Sequence, residues 1–144
     1  MNRTELLSAL QLDRFIAFDF ETTGLEVAND RPIEVAAVLF EHGKPSDRFC
    51  TLINPNLPIS NLIQDITGIT NEMVSDAPKE NDVIDKLLNF LSDIPIVAHN
   101  TPFDVAFLEA MAQRAGKELT NRKYYDTLTL SRAFLFFQPS HNLS

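Results

Sequence analysis

The sequence predicts an α/β domain built on a mixed sheet, and three observations point there. Three strand-like segments rich in Phe, Ile and Val come first, over residues 15–20, 31–40 and 48–53. The link between the second and third is short enough for an antiparallel pair. From residue 79 onward, helical periodicity alternates with short apolar strands, the order expected of helices packed on a sheet. The chain has 144 residues, 44% of them hydrophobic, which suits one domain spanning 1–144 with a real core and is too apolar for disorder.

Each element has a local reason. Thr4 is placed to N-cap a short helix reaching Leu10, with Glu5 in the first turn, where a carboxylate favours the positive end of the helix. Residues 15–20 read Phe-Ile-Ala-Phe-Asp-Phe, apolar on both faces as in a central strand, and Thr22-Thr23-Gly24 ends them. His42-Gly43-Lys44-Pro45 makes the turn after the second strand. Residues 54–58 hold two prolines and are loop, and residues 59–77 are polar and irregular with one or two helical turns. Val83, Ile84, Leu87, Leu88 and Leu91 recur at helical spacing over residues 79–91. Residues 95–98 form a short buried strand. Pro102 then suits a helix first turn, Phe103, Ala106, Phe107, Ala110 and Met111 form its stripe, and Gly116 caps it after Arg114. Tyr124 and Tyr125 fit a short strand, residues 127–134 a helix, and Ser140 the N-cap of another.

Composition narrows the function. The net charge of −8 argues against a protein that holds nucleic acid through a broad basic surface, but not against one that meets phosphates through bound cations. Residues 1–103 hold 7 basic and 16 acidic side chains, whereas residues 104–144 hold 5 and 4. The single cysteine, Cys50, excludes an internal disulfide framework and a cysteine-rich zinc site, and fits a reduced, cytoplasmic protein. Arg3, Glu5, Asp13 and Arg14 interrupt the N-terminal apolar residues, so no signal peptide is expected. Runs such as residues 133–137 are too short to span a bilayer, so no membrane partner is expected.

The residues with chemistry in them are acidic. Asp19 and Glu21 close the first strand and share one face, roughly 7 Å apart along the backbone. Two such carboxylates repel and are costly to desolvate, and divalent cations turn that cost into binding. The plainer reading is that both lie past the strand end in water. Asp104 follows a buried strand in the first turn of a helix, where the helix dipole alone is reason enough for an acid. Strand ends and adjacent helix starts gather at one edge of an α/β sheet, so Asp19, Glu21 and Asp104 are placed to converge.

Three stretches resemble the DEDDh family of 3′–5′ exonucleases in its proofreading, epsilon-subunit branch. They are Phe15-Ile16-Ala17-Phe18-Asp19-Phe20-Glu21-Thr22-Thr23-Gly24-Leu25, then Ile66-Thr67-Gly68-Ile69-Thr70 with Ala77-Pro78, and then Ala98-His99-Asn100 with Phe103-Asp104. Tyr125-Asp126-Thr127-Leu128 also fits the family's order. The resemblance implies a ribonuclease H-like fold, a five-stranded mixed sheet flanked by helices. It implies catalytic and metal-binding roles for Asp19, Glu21 and Asp104, with two Mg²⁺ or Mn²⁺ ions about 3.5–4 Å apart. It further implies in-line hydrolysis of the terminal phosphodiester at a single-stranded 3′ end of DNA or RNA, in company with a DNA polymerase. Thr22, Thr23, Gly24, Leu25, His99, Asn100 and Phe103 would meet the terminal nucleotide, Leu25 and Phe103 as apolar surfaces for sugar or base. Phe103 equally suits a core position on its helix.

The chain departs from the family at the third motif, which should supply a general-base His and, four residues on, a fourth carboxylate. His42 falls in a turn, His99 belongs to the second motif as a brace, and His141 lies in Pro139-Ser140-His141-Asn142-Leu143, which resembles the start of the preceding helix. Asp126 is read as a helix cap and Glu34 as structural. The expectation is a domain cut before its last catalytic segment and last helix, binding metal weakly and cleaving slowly. Phe134, Leu135, Phe136 and Phe137 are expected to lie uncovered, open to self-association or a partner. Two other readings stand beside the enzyme. One is a non-catalytic relative that binds nucleic acid or a polymerase. The other is a phosphohydrolase with a strand-end acidic pair, which wants Asp where this chain has Glu21.

Overall fold

The computed structural model describes residues 2–127. Helix α1 (Arg3–Ala9) is capped by Asn2, not Thr4: the Asn2 side chain accepts the Glu5 amide and the Glu5 carboxylate accepts the Asn2 amide, each at 2.8 Å. That reciprocal pair satisfies two amides where Thr4 would satisfy one. Strands β1 (Arg14–Thr22), β2 (Pro32–Glu41) and β3 (Lys44–Leu52) follow as an antiparallel set. His42 and Gly43 have φ of 52° and 80°, two successive left-handed residues whose twist suits a tight strand turn. The turn is so short that β3 begins at Lys44, ahead of the predicted residue 48. Pro45 is tolerated because β3 is an outer strand.

Residues predicted as irregular form two short helices, α2 (Asn61–Thr67) and α3 (Asn71–Ser75), capped by the side chains of Ser60 and Thr70. Helix α4 (Glu80–Leu91), strand β4 (Ile96–Ala98), helix α5 (Thr101–Arg114) and strand β5 (Tyr124–Asp126) complete the described chain. The sheet order is β3-β2-β1-β4-β5, with β4 parallel to β1 and β5 parallel to β4. This is the predicted five-stranded mixed sheet. The predicted helices at residues 127–134 and after Ser140, and the apolar run 134–137, lie outside the described residues apart from Thr127. Among the described residues no helix is long and apolar enough to cross a membrane.

One face of the sheet carries the core. Ile16, Phe18 and Phe20 of β1 pack with Val35 and Ala37 of β2, against Val83, Ile84, Leu87 and Leu91 of α4 and Phe107, Leu108, Met111 and Ala112 of α5. Each large aliphatic side chain buried this way contributes about 1.5–3 kcal/mol. A smaller cluster of Ile33, Ile59, Ile69 and Val74 sits under α2 and α3. The buried face of α5 is rotated from the predicted stripe: Leu108 and Ala112 replace Ala106 and Ala110, and Asp104 shares that face. The helix is wedged between sheet and α4, so more of its circumference is covered than a single stripe describes.

The other face of β1 is not fully buried, contrary to the expectation for a central strand. Phe15 and Ala17 are half-buried and Asp19 is exposed. Phe15 stacks on Phe40 with ring centroids 5.1 Å apart. A groove of about 540 Å³ runs along this face, lined by Ala17, Val38, Phe40 and Val97, with Asp19 and His99 also on its wall.

Candidate active site

The site forms where β1 outruns its parallel neighbour. The last residues paired between β1 and β4 are Ala17 and Val97, so the backbone around Phe20 has no strand beside it on that side. Asp104, in the first turn of α5, fills the gap: its Oδ1 accepts the Phe20 amide at 3.0 Å. Phe20 separates Asp19 from Glu21, so this one bond fixes Asp104 against the segment bearing the other two carboxylates. Asp104 is 3% exposed. An amide left unpaired at that depth would cost about 1–3 kcal/mol, which explains why an acid is tolerated there structurally. It does not explain why the acid faces two others.

The three carboxylates feel one another. The Asp104 carboxyl is raised to about 7, chiefly by burial; the Phe20 amide works against that rise, and the charges of Asp19, Glu21 and Asp126 add to it. Glu21 is raised by burial and then by the charges of Asp19 and Glu34. Asp19 remains accessible to solvent, yet the protein around it raises its carboxyl too. Glu34 stands directly opposite Glu21 in the β1–β2 register, a pairing of like charges that destabilises a sheet. Glu34, read from the sequence as structural, is brought opposite Glu21 by the strand register, which the local sequence does not reveal.

Such a set of hard oxygen donors, mutually repelling and partly desolvated, suits a hard divalent cation. Among the described residues no group of three or more His, Cys, Asp or Glu side chains is brought together so as to hold a metal ion. Magnesium asks for less, since it commonly takes one or two carboxylates and completes its shell with water and substrate phosphate. One or two of Asp19, Glu21 and Asp104 would meet that smaller demand.

The loop after β1 turns over this edge. Thr22 is buried and its Oγ1 donates to the Gly24 carbonyl at 2.6 Å. Asp30 accepts from the Thr23 hydroxyl and from the Glu26 amide, both at 2.9 Å. Leu25 is left 83% exposed. Across the edge, Asn100 takes a left-handed conformation (φ 65°, ψ 57°) as the cap of α5, and its amide donates to Asp126 Oδ1 at 3.0 Å. Asp126 thus holds the loop before α5; the helix it was expected to cap lies outside the described residues. His99 is exposed, its Nδ1 3.0 Å from Thr127 Oγ1. Phe103 is half-buried against the core, its ring 4.8 Å from that of Phe107. His42, by contrast, is exposed in the β2–β3 turn, outside this edge.

Comparison with known proteins agrees with this geometry. Residues 16–144 match the family model RNase_T, described as exonuclease. The DNA polymerase III PolC-type of Bacillus cereus is 43% identical over 132 residues, which are 92% of this chain and 9% of that protein. The DNA polymerase III PolC-type of Caldanaerobacter subterraneus subsp. tengcongensis is 45% identical over 118 residues, 82% of this chain and 8% of that protein. The chain therefore spans about a tenth of the length of the curated relatives it matches. Among solved structures, a product-bound exonuclease I superposes with a TM-score of 0.78 at 20% identity, covering 89% of this chain and 33% of that one. E. coli exonuclease I in complex with a dA16 oligonucleotide gives 0.78 and 20%, covering 89% and 31%. At that identity the likeness shows the fold, which is ribonuclease H-like.

Proposed function

Because the chain belongs to the exonuclease family, we propose that residues 1–144 are a 3′–5′ exonuclease domain of the DEDDh type, acting on single-stranded DNA ends beside a polymerase active site. The observation that carries this reading is the bond from the Phe20 amide to Asp104 Oδ1, which sets the acid of α5 against the β1 segment that bears Asp19 and Glu21. The kinship with DNA polymerase III of the PolC type supports DNA over RNA and proofreading over free-standing degradation.

In this reading Asp19, Glu21 and Asp104 hold two divalent ions, magnesium or manganese. Bound there, the ions supply Lewis-acid stabilisation of charge on the attacking and leaving oxygens of the phosphodiester. The chain's own residues position the strand. Thr22, Thr23 and Gly24 present their backbone to the terminal nucleotide, the two threonine hydroxyls being committed to bonds within the loop. Leu25 and the exposed edge of Phe103 offer apolar surface that any base or sugar can meet. His99 and Asn100 brace the opposite wall through Thr127 and Asp126. Among the described residues His42 lies in the β2–β3 turn, away from this edge, and His99 contacts Thr127 as part of the second motif, so neither stands as the third-motif base and the 144 residues are expected to bind ends better than they cleave them.

The test uses a single-stranded oligonucleotide labelled at its 5′ end. With magnesium or manganese the chain is expected to bind a free 3′ end, and at enzyme excess to shorten it slowly, one nucleotide at a time. EDTA or Asp19→Asn should abolish both. Metal-independent binding without shortening favours a non-catalytic binding module. Fast magnesium-dependent turnover by the 144-residue chain would show that proton abstraction needs no further motif.

A further inference from the structure

The loop of residues 22–31 is framed by one side chain that no motif singles out. We propose that Asp30 is a positioning residue for the terminal nucleotide, its carboxylate fixing the shape in which Thr23, Gly24 and Leu25 are presented. The proposal rests on the reading of that loop as the nucleotide surface.

The geometry is specific. Asp30 Oδ1 accepts the Thr23 hydroxyl and Oδ2 accepts the Glu26 amide, so one carboxylate bridges both sides of Leu25. The Thr23 Oγ1 in turn accepts the Arg31 amide at 3.0 Å, and the Thr23 amide donates to the Arg31 carbonyl at 2.9 Å. The Asp30 amide closes the frame on the Glu26 carbonyl at 2.7 Å. Gly24 lies flat against the clasp: a Cβ there would come within 2.5, 2.7 and 2.8 Å of the three carboxylate atoms of Asp30. Those atoms are held by two hydrogen bonds and cannot swing aside freely. The frame holds Leu25 in solvent, 83% exposed, instead of burying it. A connecting loop gains nothing by displaying a leucine rigidly, whereas a surface that meets sugar or base gains pre-organisation.

Charge and shape make opposite predictions, and this gives the test. Removing a carboxylate from a chain of net charge −8 relieves repulsion of a polyanion, so a purely electrostatic Asp30 would make any neutral substitution bind DNA more tightly. A clasp makes Asp30→Ala bind more weakly. Asp30→Asn restores the affinity, since its Oδ1 can accept the Glu26 amide while its Nδ2 donates to Thr23 Oγ1. The measurement is fluorescence anisotropy of a labelled oligothymidylate with a free 3′ hydroxyl, titrated with the 144-residue chain in magnesium. Asp30→Ala is expected to weaken binding about tenfold, with Asn near the unaltered chain. Gly24→Ala should weaken binding comparably, and the double variant Gly24→Ala/Asp30→Ala should be no worse than either alone. Asp30→Ala binding as well as or better than the unaltered chain overturns the proposal, as does additivity of the two substitutions. Should Asp30→Ala fail to fold, the contrast between Asp30→Asn and Gly24→Ala decides: loss in the second alone supports the clasp, and equal affinities overturn it. Absence of binding by the unaltered chain overturns the reading of the whole site as well, whereas binding that Asp30→Ala leaves intact overturns this proposal alone.

Discussion

Asp104 shows how one residue can serve the fold and work against it. Its Oδ1 completes the Phe20 amide, yet burial and then the neighbouring acids hold its carboxyl up near 7. In the unfolded chain the same carboxyl titrates near 3.8. Between those values the folded form binds more protons, so the stability this group contributes is fully present below about 3.8 and is lost as pH rises through about 7. Asp104→Asn keeps an acceptor for Phe20 and has no charge to bury. In EDTA, the variant is expected to out-stabilise the unaltered chain at pH 8 by on the order of a few kcal/mol, and to match it at pH 4. Thermal unfolding across that range checks the sign. Parallel pH profiles for the two proteins would mean that Asp104 pays no electrostatic penalty. Magnesium should recover part of the loss at pH 8 for the unaltered chain and little for the variant.

At the scale of elements, the start of α5 is where the sheet and the site are joined. Thr101 is 5% exposed, and its hydroxyl lies 3.1 Å from the Ala98 carbonyl of β4 and 2.8 Å from the Tyr125 carbonyl of β5. Thr101→Val preserves shape and removes the one hydroxyl proton that the two carbonyls share. It is expected to destabilise by about 1–3 kcal/mol in urea unfolding and to weaken metal-dependent end binding, because Asp104 is carried on the same first turn. A variant that unfolds at the unaltered midpoint would show the hydroxyl to be dispensable. The elements themselves were legible in the sequence. Phe15 to Phe20 announce a strand by type, and Val83, Ile84, Leu87 and Leu91 announce a helix by spacing. The candidate site was legible only where motif and topology agreed, at Asp19, Glu21 and Asp104. What was not legible depends on register or on loop geometry. Glu34 meets Glu21 only because β1 and β2 pair as they do, and Asp30 meets Gly24 only because the loop folds back. The rotation of α5, which buries Asp104, follows from α4 lying beside it, and nothing in residues 101–114 alone encodes that neighbour.

For the molecule as a whole, charge sets how it could meet DNA on the proposed reading. A chain of net charge −8 with its acids gathered at one sheet edge repels a phosphate backbone at the place where it would have to bind. Two divalent ions would bring +4 to that edge and reverse its local sign without altering the surface elsewhere. Binding of this kind is concentrated at one end of the strand and neutralises few phosphates along it. The dependence on monovalent salt should therefore be shallow. A protein that covers six to ten phosphates of a single strand with Lys and Arg loses affinity with a log–log slope of about −4 to −7, whereas this chain in magnesium should show a slope of about −1 to −2. Without divalent ions, affinity for the same oligonucleotide should fall below detection even at low salt. Titrations at several potassium concentrations, with and without magnesium, measure both quantities. A steep slope would mean that basic side chains dominate, and Arg31, Lys79 and Arg114, which line one polar cleft of about 490 Å³, would be the residues to substitute first.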